Sequence, residues 1–238
     1  MENKINRKQT REAPKLIAHR GFHLASPQNS LSAFRAAGER GFWAIETDVR
    51  RSRDGVLVCC HNDTVDSLYD GTGRIEELSW EELSRLRYRE APGEGMPLFR
   101  EYLAACREGG ALPFIETKTD DVEQVLGEAL SWIPPEELIV SSIQFSHLLA
   151  ARAACGGVFL HHIFSTPEQM RQLAELGNCG VSYRYDHLEE VPAGLLEETH
   201  RAGVLVCLRA GDTPETVRRM IELGLDYIPT NRVTKEEL

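Results

Sequence analysis

Glu46 and Asp48 stand two residues apart in "AIETDV", a run with strand character, so both side chains point to one face. Their Cα atoms lie ~7 Å apart on a rise of ~3.3 Å per residue, which lets both carboxylates converge on one cation. "PFIETK" repeats the spacing with Glu116 and Lys118. Two unscreened carboxylates about 4 Å apart repel by ~4 kcal/mol at an effective dielectric of about 20. Three acids at one place therefore call for a divalent cation between them. An all-oxygen ligand set suits Mg²⁺, Ca²⁺ or Mn²⁺ better than Zn²⁺. With such an ion, and with Arg20 and Lys118 beside the acids, the cluster retains one positive charge, which a monoanionic phosphodiester would match. His19 ends "KLIAH" and His61 ends "VLVCCH". Imidazoles titrate near neutrality, as one proton removal and one proton donation require. The sequence leaves open which of the two does which.

These residues need elements that bring them to one place. Nine β-rich runs alternate with helical patterns from residue 15 onward: "KLIAH", "AIETDV", "VLVCCH", "LPFIETK", "LIVSSI", "VFLHHI", "GVSYRY", "VLVCLR" and "LDYIPT". Such alternation reads as a parallel sheet, and about eight repeats read as a closed (β/α)₈ barrel, an α/β fold whose strand ends converge on one mouth. The ninth run has a local origin. Asp54-Gly55 is a favoured two-residue hairpin loop. It would pair Arg53 with Val56 and set His61 opposite Asp48, on the same face. Residues 62–97 are polar and turn-rich with one helix signal, "SWEELSRL", and read as an insertion over the barrel mouth. Asn29, before "SLSAF", reads as a helix N-cap. The His161-His162 pair lacks the His-x-His spacing of zinc hydrolases and is expected to split into one buried and one exposed ring.

Composition narrows the class. The chain has 238 residues, 42% hydrophobic and 27% charged, with a net charge of −10. These values exclude disorder and low complexity. The acidic balance argues against a nucleic-acid or anionic-membrane footprint. No apolar run approaches the ~18 residues of a membrane span, and the polar first thirteen residues lack the apolar stretch of a secretory leader. Six cysteines without a CxxC spacing read as buried free thiols of a cytoplasmic protein. The chain stops eight residues after Thr230. Either the polar N-terminal arm or a second copy of the chain, as a homo-oligomer, is expected to cover that side.

In order, "IAHRGFHLASPQNSLSAF", "GFWAIETDVRRSRDGVLVCCHNDTVD", "DGTGRI" and "PFIETK" resemble the glycerophosphodiester phosphodiesterases over residues 15–120. The resemblance implies a (β/α)₈ TIM barrel with a small insertion after the second strand, a single domain over residues 1–238. It implies Glu46, Asp48 and Glu116 as ligands of Mg²⁺ or Ca²⁺, His19 and His61 as the acid–base pair, and Arg20 and Lys118 as holders of the phosphoryl oxygens. The implied reaction is hydrolysis of a small-molecule phosphodiester to a phosphomonoester, sn-glycerol 3-phosphate for a glycerophosphodiester, plus an alcohol. This chain departs from the family pattern at Gln28, Ser30, Asn62, Asn231 and the run Cys207-Leu208-Arg209-Ala210. The departures at the later strand ends point to the alcohol side of the substrate, with Arg209 facing something more anionic than glycerol. Four other readings compete: a lysophospholipid phosphodiesterase, a sphingomyelinase D-like lyase giving a cyclic phosphate, a Schiff-base aldolase using Lys118, and a barrel that binds a phosphodiester without turnover.

Overall fold

The computed structural model describes residues 14–185 and 187–238. Among these, all nine strand runs and all eight helical stretches form. In chain order they are β1 (Leu16–Ala18), α1 (Leu31–Glu39), β2 (Ala44–Arg51), β3 (Leu57–Cys59), α2 (Trp80–Leu83) and α3 (Phe99–Gly109). Then come β4 (Leu112–Thr117), α4 (Val122–Leu130), β5 (Ile139–Ser142), α5 (Phe145–Ala154), β6 (Phe159–His162) and α6 (Pro167–Leu176). The chain ends with β7 (Cys179–Ser182), α7 (Leu195–Arg201), β8 (Leu205–Cys207), α8 (Pro214–Glu222) and β9 (Ile228–Thr230).

Eight strands run parallel in the order β8-β7-β6-β5-β4-β2-β1-β9, with β3 paired antiparallel to β2 alone. The helices sit between successive strands, and the result is a nearly closed (β/α)₈ barrel. Apolar residues on the inner helix faces, such as Phe34, Leu103, Leu126, Leu148 and Leu173, are fully buried in one cluster against the strands.

The seam between β8 and β9 lacks a regular ladder, and Pro229 explains why. Ile228 N–H and Thr230 C=O bond toward the β1 side, so position 229 faces β8. Proline has no N–H to offer there. Its carbonyl still accepts from Gly211 N at 2.9 Å. Asp226 closes the rest: its N–H donates to Val206 O at 2.9 Å, and its Oδ2 accepts from Val206 N at 2.7 Å.

The β2–β3 hairpin corrects the expected register. Arg51 pairs with Leu57, Arg50 with Val58 and Val49 with Cys59. Ser52 N donates to Val56 O, so the loop holds three residues rather than two. Gly55 supplies the left-handed position that such a loop needs, at φ 87°. Asp48 therefore faces Cys60, whose N–H donates to Asp48 O at 2.9 Å, and His61 follows one step later. Residues 62–97 pack around Tyr69, Ile75, Leu83 and Tyr88 against Val58 and Cys60, and the Tyr88 hydroxyl donates to Asn29 O at 3.1 Å. The segment thus props the loop that carries the first mouth residues.

No helix among the described residues is long and apolar enough to cross a membrane. All six cysteines are free thiols. The N-terminal arm expected to cover the last strand lies outside the described residues.

Asp226→Ala leaves the buried Val206 N–H without an acceptor. We expect it to lower the free energy of unfolding in urea by about 1–3 kcal/mol, with Asp226→Asn recovering most of the loss.

Candidate active site at the barrel mouth

The turn after β1 sets the first corner. Arg20 (φ 57°) and Gly21 (φ 79°) are both left-handed. At Gly21 a side chain is excluded as well, because a Cβ would stand 2.8 Å from the Ala33 Cβ. This turn aims Arg20 N–H at Glu46 Oε2, 2.7 Å away. The Arg20 side chain donates to Gln28 and lies 3.6 Å from Asp48 Oδ2 through Nε.

Glu46 and Asp48 share one face of β2, and register places Asp48 beside Glu116 of β4. One carboxylate oxygen from each of the three lies within 4.8 Å of the others. Burial pushes the Glu46 carboxyl far above its ordinary range, and the neighbouring Asp48 and Glu116 push it further. Glu116 is pushed up to about 7 by burial and Asp48, against the pull of Lys118. Burial would raise Asp48 too, but Lys118, His61 and Arg20 outweigh it and hold it below the ordinary value. Asp48 Oδ1 is buried and accepts no hydrogen bond among the described residues; Lys118 Nζ pairs with it ionically at 3.3 Å. An all-oxygen acidic cluster with one orphaned lone pair fits a hard divalent cation. Lys118 also contacts Glu116 directly, and the two carboxylates outweigh burial to raise its pKa. A Schiff-base lysine needs the opposite shift, which counts against the aldolase reading.

Both imidazoles line the same cavity, of about 480 Å³, together with Arg20, Glu46, Glu116 and Lys118. Each is oriented by an asparagine. His19 Nδ1 lies 2.8 Å from Asn231 Oδ1, and Asn231 Nδ2 donates to Asp212 Oδ2 at 2.6 Å. His61 Nδ1 lies 2.9 Å from Asn62 Oδ1, and Asn62 Nδ2 donates to Ser67. Asp212 can only accept, which turns the Asn231 carbonyl oxygen to His19; the Asn62 carbonyl oxygen stands against His61 with its Nδ2 on the Ser67 hydroxyl. Both rings then carry their proton on Nδ1 and keep Nε2 as a lone pair. Burial lowers the pKa of both histidines. Arg20 adds to this at His19, while Asp48 opposes it at His61. Arg50 fixes the backbone of the second ring: its Nη2 donates to His61 O at 2.7 Å.

The structure brings together every residue expected at the site: His19, Arg20, Glu46, Asp48, His61, Glu116 and Lys118. It corrects two other expectations. Ser30, not Asn29, caps α1; it accepts from Ala33 N. Fully buried Asn29 instead donates to Asp48 Oδ2 at 3.0 Å and accepts from Thr47 Oγ1 at 2.7 Å. His161 and His162 are both buried, at 2% and 1% exposure, on opposite faces of β6. His161 lines the cavity, while His162 bonds outward to Ser165 and Ile143 O. Asn62 and Asn231, two of the departures from the family pattern, each stand behind an imidazole. Arg209 and Ala210 do line the cavity's far half.

The class that fold and site define is a (β/α)₈ barrel with three clustered acids and two oriented imidazoles at one mouth. Residues 19–235 match the sequence model of the Glycerophosphoryl diester phosphodiesterase family, and the chain belongs to that family. Human "Glycerophosphodiester phosphodiesterase 1" is 37% identical over 109 residues, 43% of this chain and 33% of that protein. The chain thus matches about a third of the length of that relative. The "Glycerophosphodiester phosphodiesterase" of Caldanaerobacter subterraneus subsp. tengcongensis is 27% identical over 91% of this chain and 93% of its own. In fold, the chain is similar to an Oleispira antarctica phosphodiesterase solved in complex with the product sn-glycerol-3-phosphate. That match has a TM-score of 0.83, 22% identity, and covers 94% of this chain and 95% of the other.

Glu46 and Glu116 hold their protons more tightly folded than unfolded. Their stabilisation is therefore present below the ordinary carboxylate value and is lost as pH rises through the folded one, about 7 for Glu116. In chelator, the melting temperature should fall from pH 5 to pH 8. Saturating Mg²⁺ or Ca²⁺ should raise it more at pH 8 than at pH 5, because cation binding must displace those protons. An equal shift at both pH values would contradict the cluster's role.

Proposed function

We propose that the protein hydrolyses a glycerophosphodiester to a phosphomonoester, sn-glycerol 3-phosphate in the simplest case, plus an alcohol. The observation that supports this reading is the pair of imidazoles held through Nδ1 by Asn231 and Asn62, both lining the cavity that Glu46 and Glu116 also line. Glu46, Asp48 and Glu116 would hold one divalent cation, Mg²⁺ or Ca²⁺ with Mn²⁺ as a substitute. Such an ion polarises a phosphoryl group and acidifies bound water. Arg20 and Lys118 neutralise the phosphoryl oxygens and hold the phosphorus between the rings. One imidazole takes a proton from water at Nε2 as the water oxygen bonds to phosphorus. The other, protonated, gives its Nε2 proton to the leaving alkoxide as the old P–O bond breaks. The first ring's proton then returns to solvent, and the second ring is reloaded.

The reading treats the whole chain as one barrel domain with residues 62–97 inserted. The free thiols support the cytoplasm as its compartment. The test is turnover of bis(p-nitrophenyl) phosphate and of sn-glycero-3-phosphocholine. Chelator should abolish both activities and Mg²⁺ or Ca²⁺ should restore them; activity that survives chelation refutes the cation's part. His19→Ala and His61→Ala should each cut kcat by about 100- to 10,000-fold. Near-normal turnover by either variant removes that ring from the mechanism.

A further inference from the structure

Single apolar side chains scattered over a surface need no explanation, but a set of them around one opening does. Among the described residues five large apolar side chains are exposed, and three of them, Leu24 at 56%, Ile143 at 53% and Phe164 at 42%, sit in loops that follow β1, β5 and β6. Those loops leave the carboxyl ends of the parallel strands and so stand at the mouth. In the ring order β6 lies diametrically across from β1, with β5 beside β6. Leu24 on one side and Ile143 with Phe164 on the other therefore bracket the cavity.

Phe164 is held outward against its own backbone preference. Its φ of 57° is left-handed, a conformation that a bulky side chain rarely adopts. The turn is pinned to β7: Phe164 N–H donates to Ser182 Oγ at 3.1 Å and Ser165 N–H to Ser182 O at 2.8 Å. A ring kept at the rim in this way is not one that failed to reach the core. Exposed Arg184 lies over it, the guanidinium carbon 5.4 Å from the ring centroid. Segments 22–28, 143–147 and 163–167 contain no Asp, Glu, Lys or Arg, in a chain that is 27% charged.

The shape of the rim selects its partner. A protein interface needs roughly 800 Å² per partner, closely packed at its centre. Here separate tips surround an open cavity of about 480 Å³, so a second copy or another protein would leave a hole at that centre. A lipid surface needs no filled centre, because apolar tips enter it one at a time. An arginine paired with an aromatic ring suits the headgroup layer, where the cation meets phosphate. With a net charge of −10 the chain gains nothing from an anionic surface. We infer that the rim of the mouth is a docking surface for a bilayer of zwitterionic lipid, with Leu24, Ile143 and Phe164 entering the boundary between headgroups and acyl chains and Arg184 meeting a headgroup phosphate. The contact is shallow and reversible, and it turns the cavity toward the lipid. Docking needs no turnover, so it stands or falls apart from the hydrolytic reading.

Co-sedimentation with phosphatidylcholine vesicles tests this. The wild type should bind, and added salt should change the binding little, because no net charge drives it. Leu24→Ser combined with Phe164→Asn should lower the ratio of bound to free protein about tenfold. Asparagine tolerates the left-handed backbone at 164, and Leu24 is exposed, so the fold should hold. Leu24→Trp should shift its emission to the blue on vesicles and be quenched by brominated lipid, above the signal of the native tryptophans. Leu223→Trp should do neither, since the C-terminal end of α8 leads back to the opposite end of the barrel. No binding by the wild type, binding unchanged in the double variant, or an equal response from Leu223→Trp overturns the docking surface. So does a dimer in sedimentation that Leu24→Ser abolishes, which would assign the rim to a second copy of the chain.

Discussion

Three carboxylates held together in a nearly dry pocket are the constraint around which this molecule is arranged. Their mutual repulsion is too large to be left to solvent, and each neighbouring group answers it. Arg20 and Lys118 bring positive charge to Asp48, the backbone N–H of Arg20 caps Glu46, and Asn29 takes the outer oxygen of Asp48. The protons that Glu46 and Glu116 retain without a cation belong to the same balance. Asp48 Oδ1, which accepts no hydrogen bond among the described residues and meets Lys118 only as an ion pair, is where a divalent ion would add what the protein groups leave open.

The two histidines follow a different logic. Neither is paired with a carboxylate through Nδ1; each leans on an asparagine carbonyl. An aspartate there would orient the ring and also raise its pKa, whereas an amide orients it with far less charge bias. The aim of both rings thus comes from geometry supplied by Asn62 and Asn231. Asp212 and Ser67 act one step further out as the groups that keep those amides from turning over.

Much of this was legible in the sequence, and the reason is periodicity. Two residues apart on a strand means one face, so Glu46 with Asp48 and Glu116 with Lys118 announce a shared wall, and nine β runs announce the barrel. What could not be read depends on single-residue detail. The hairpin slipped by one because Asp54-Gly55 was compatible with a two-residue loop, while Ser52 closed a three-residue one. Asn29 looked like a cap because capping residues and buried amides share a composition; the cap was the next residue. His161 and His162 looked separable by exposure, but helix α5 covers the outer ring as fully as the barrel covers the inner. Arg50 carried no signal at all, since its role arises from strands that meet only in the closed barrel.

The join between β8 and β9 has a wider meaning. Around the ring of eight, seven joints are backbone ladders, and the eighth combines two isolated backbone bonds with the carboxylate of Asp226, where the imino acid at 229 has no N–H to give. Thr230 ends that strand, Asn231 follows it directly, and Asn231 is the hand that points His19. The barrel's least continuous stave is therefore also the one that orients the His19 ring. A disturbance at the outer surface near Asp226, where His200 already touches it at 2.9 Å, has a short path to that ring.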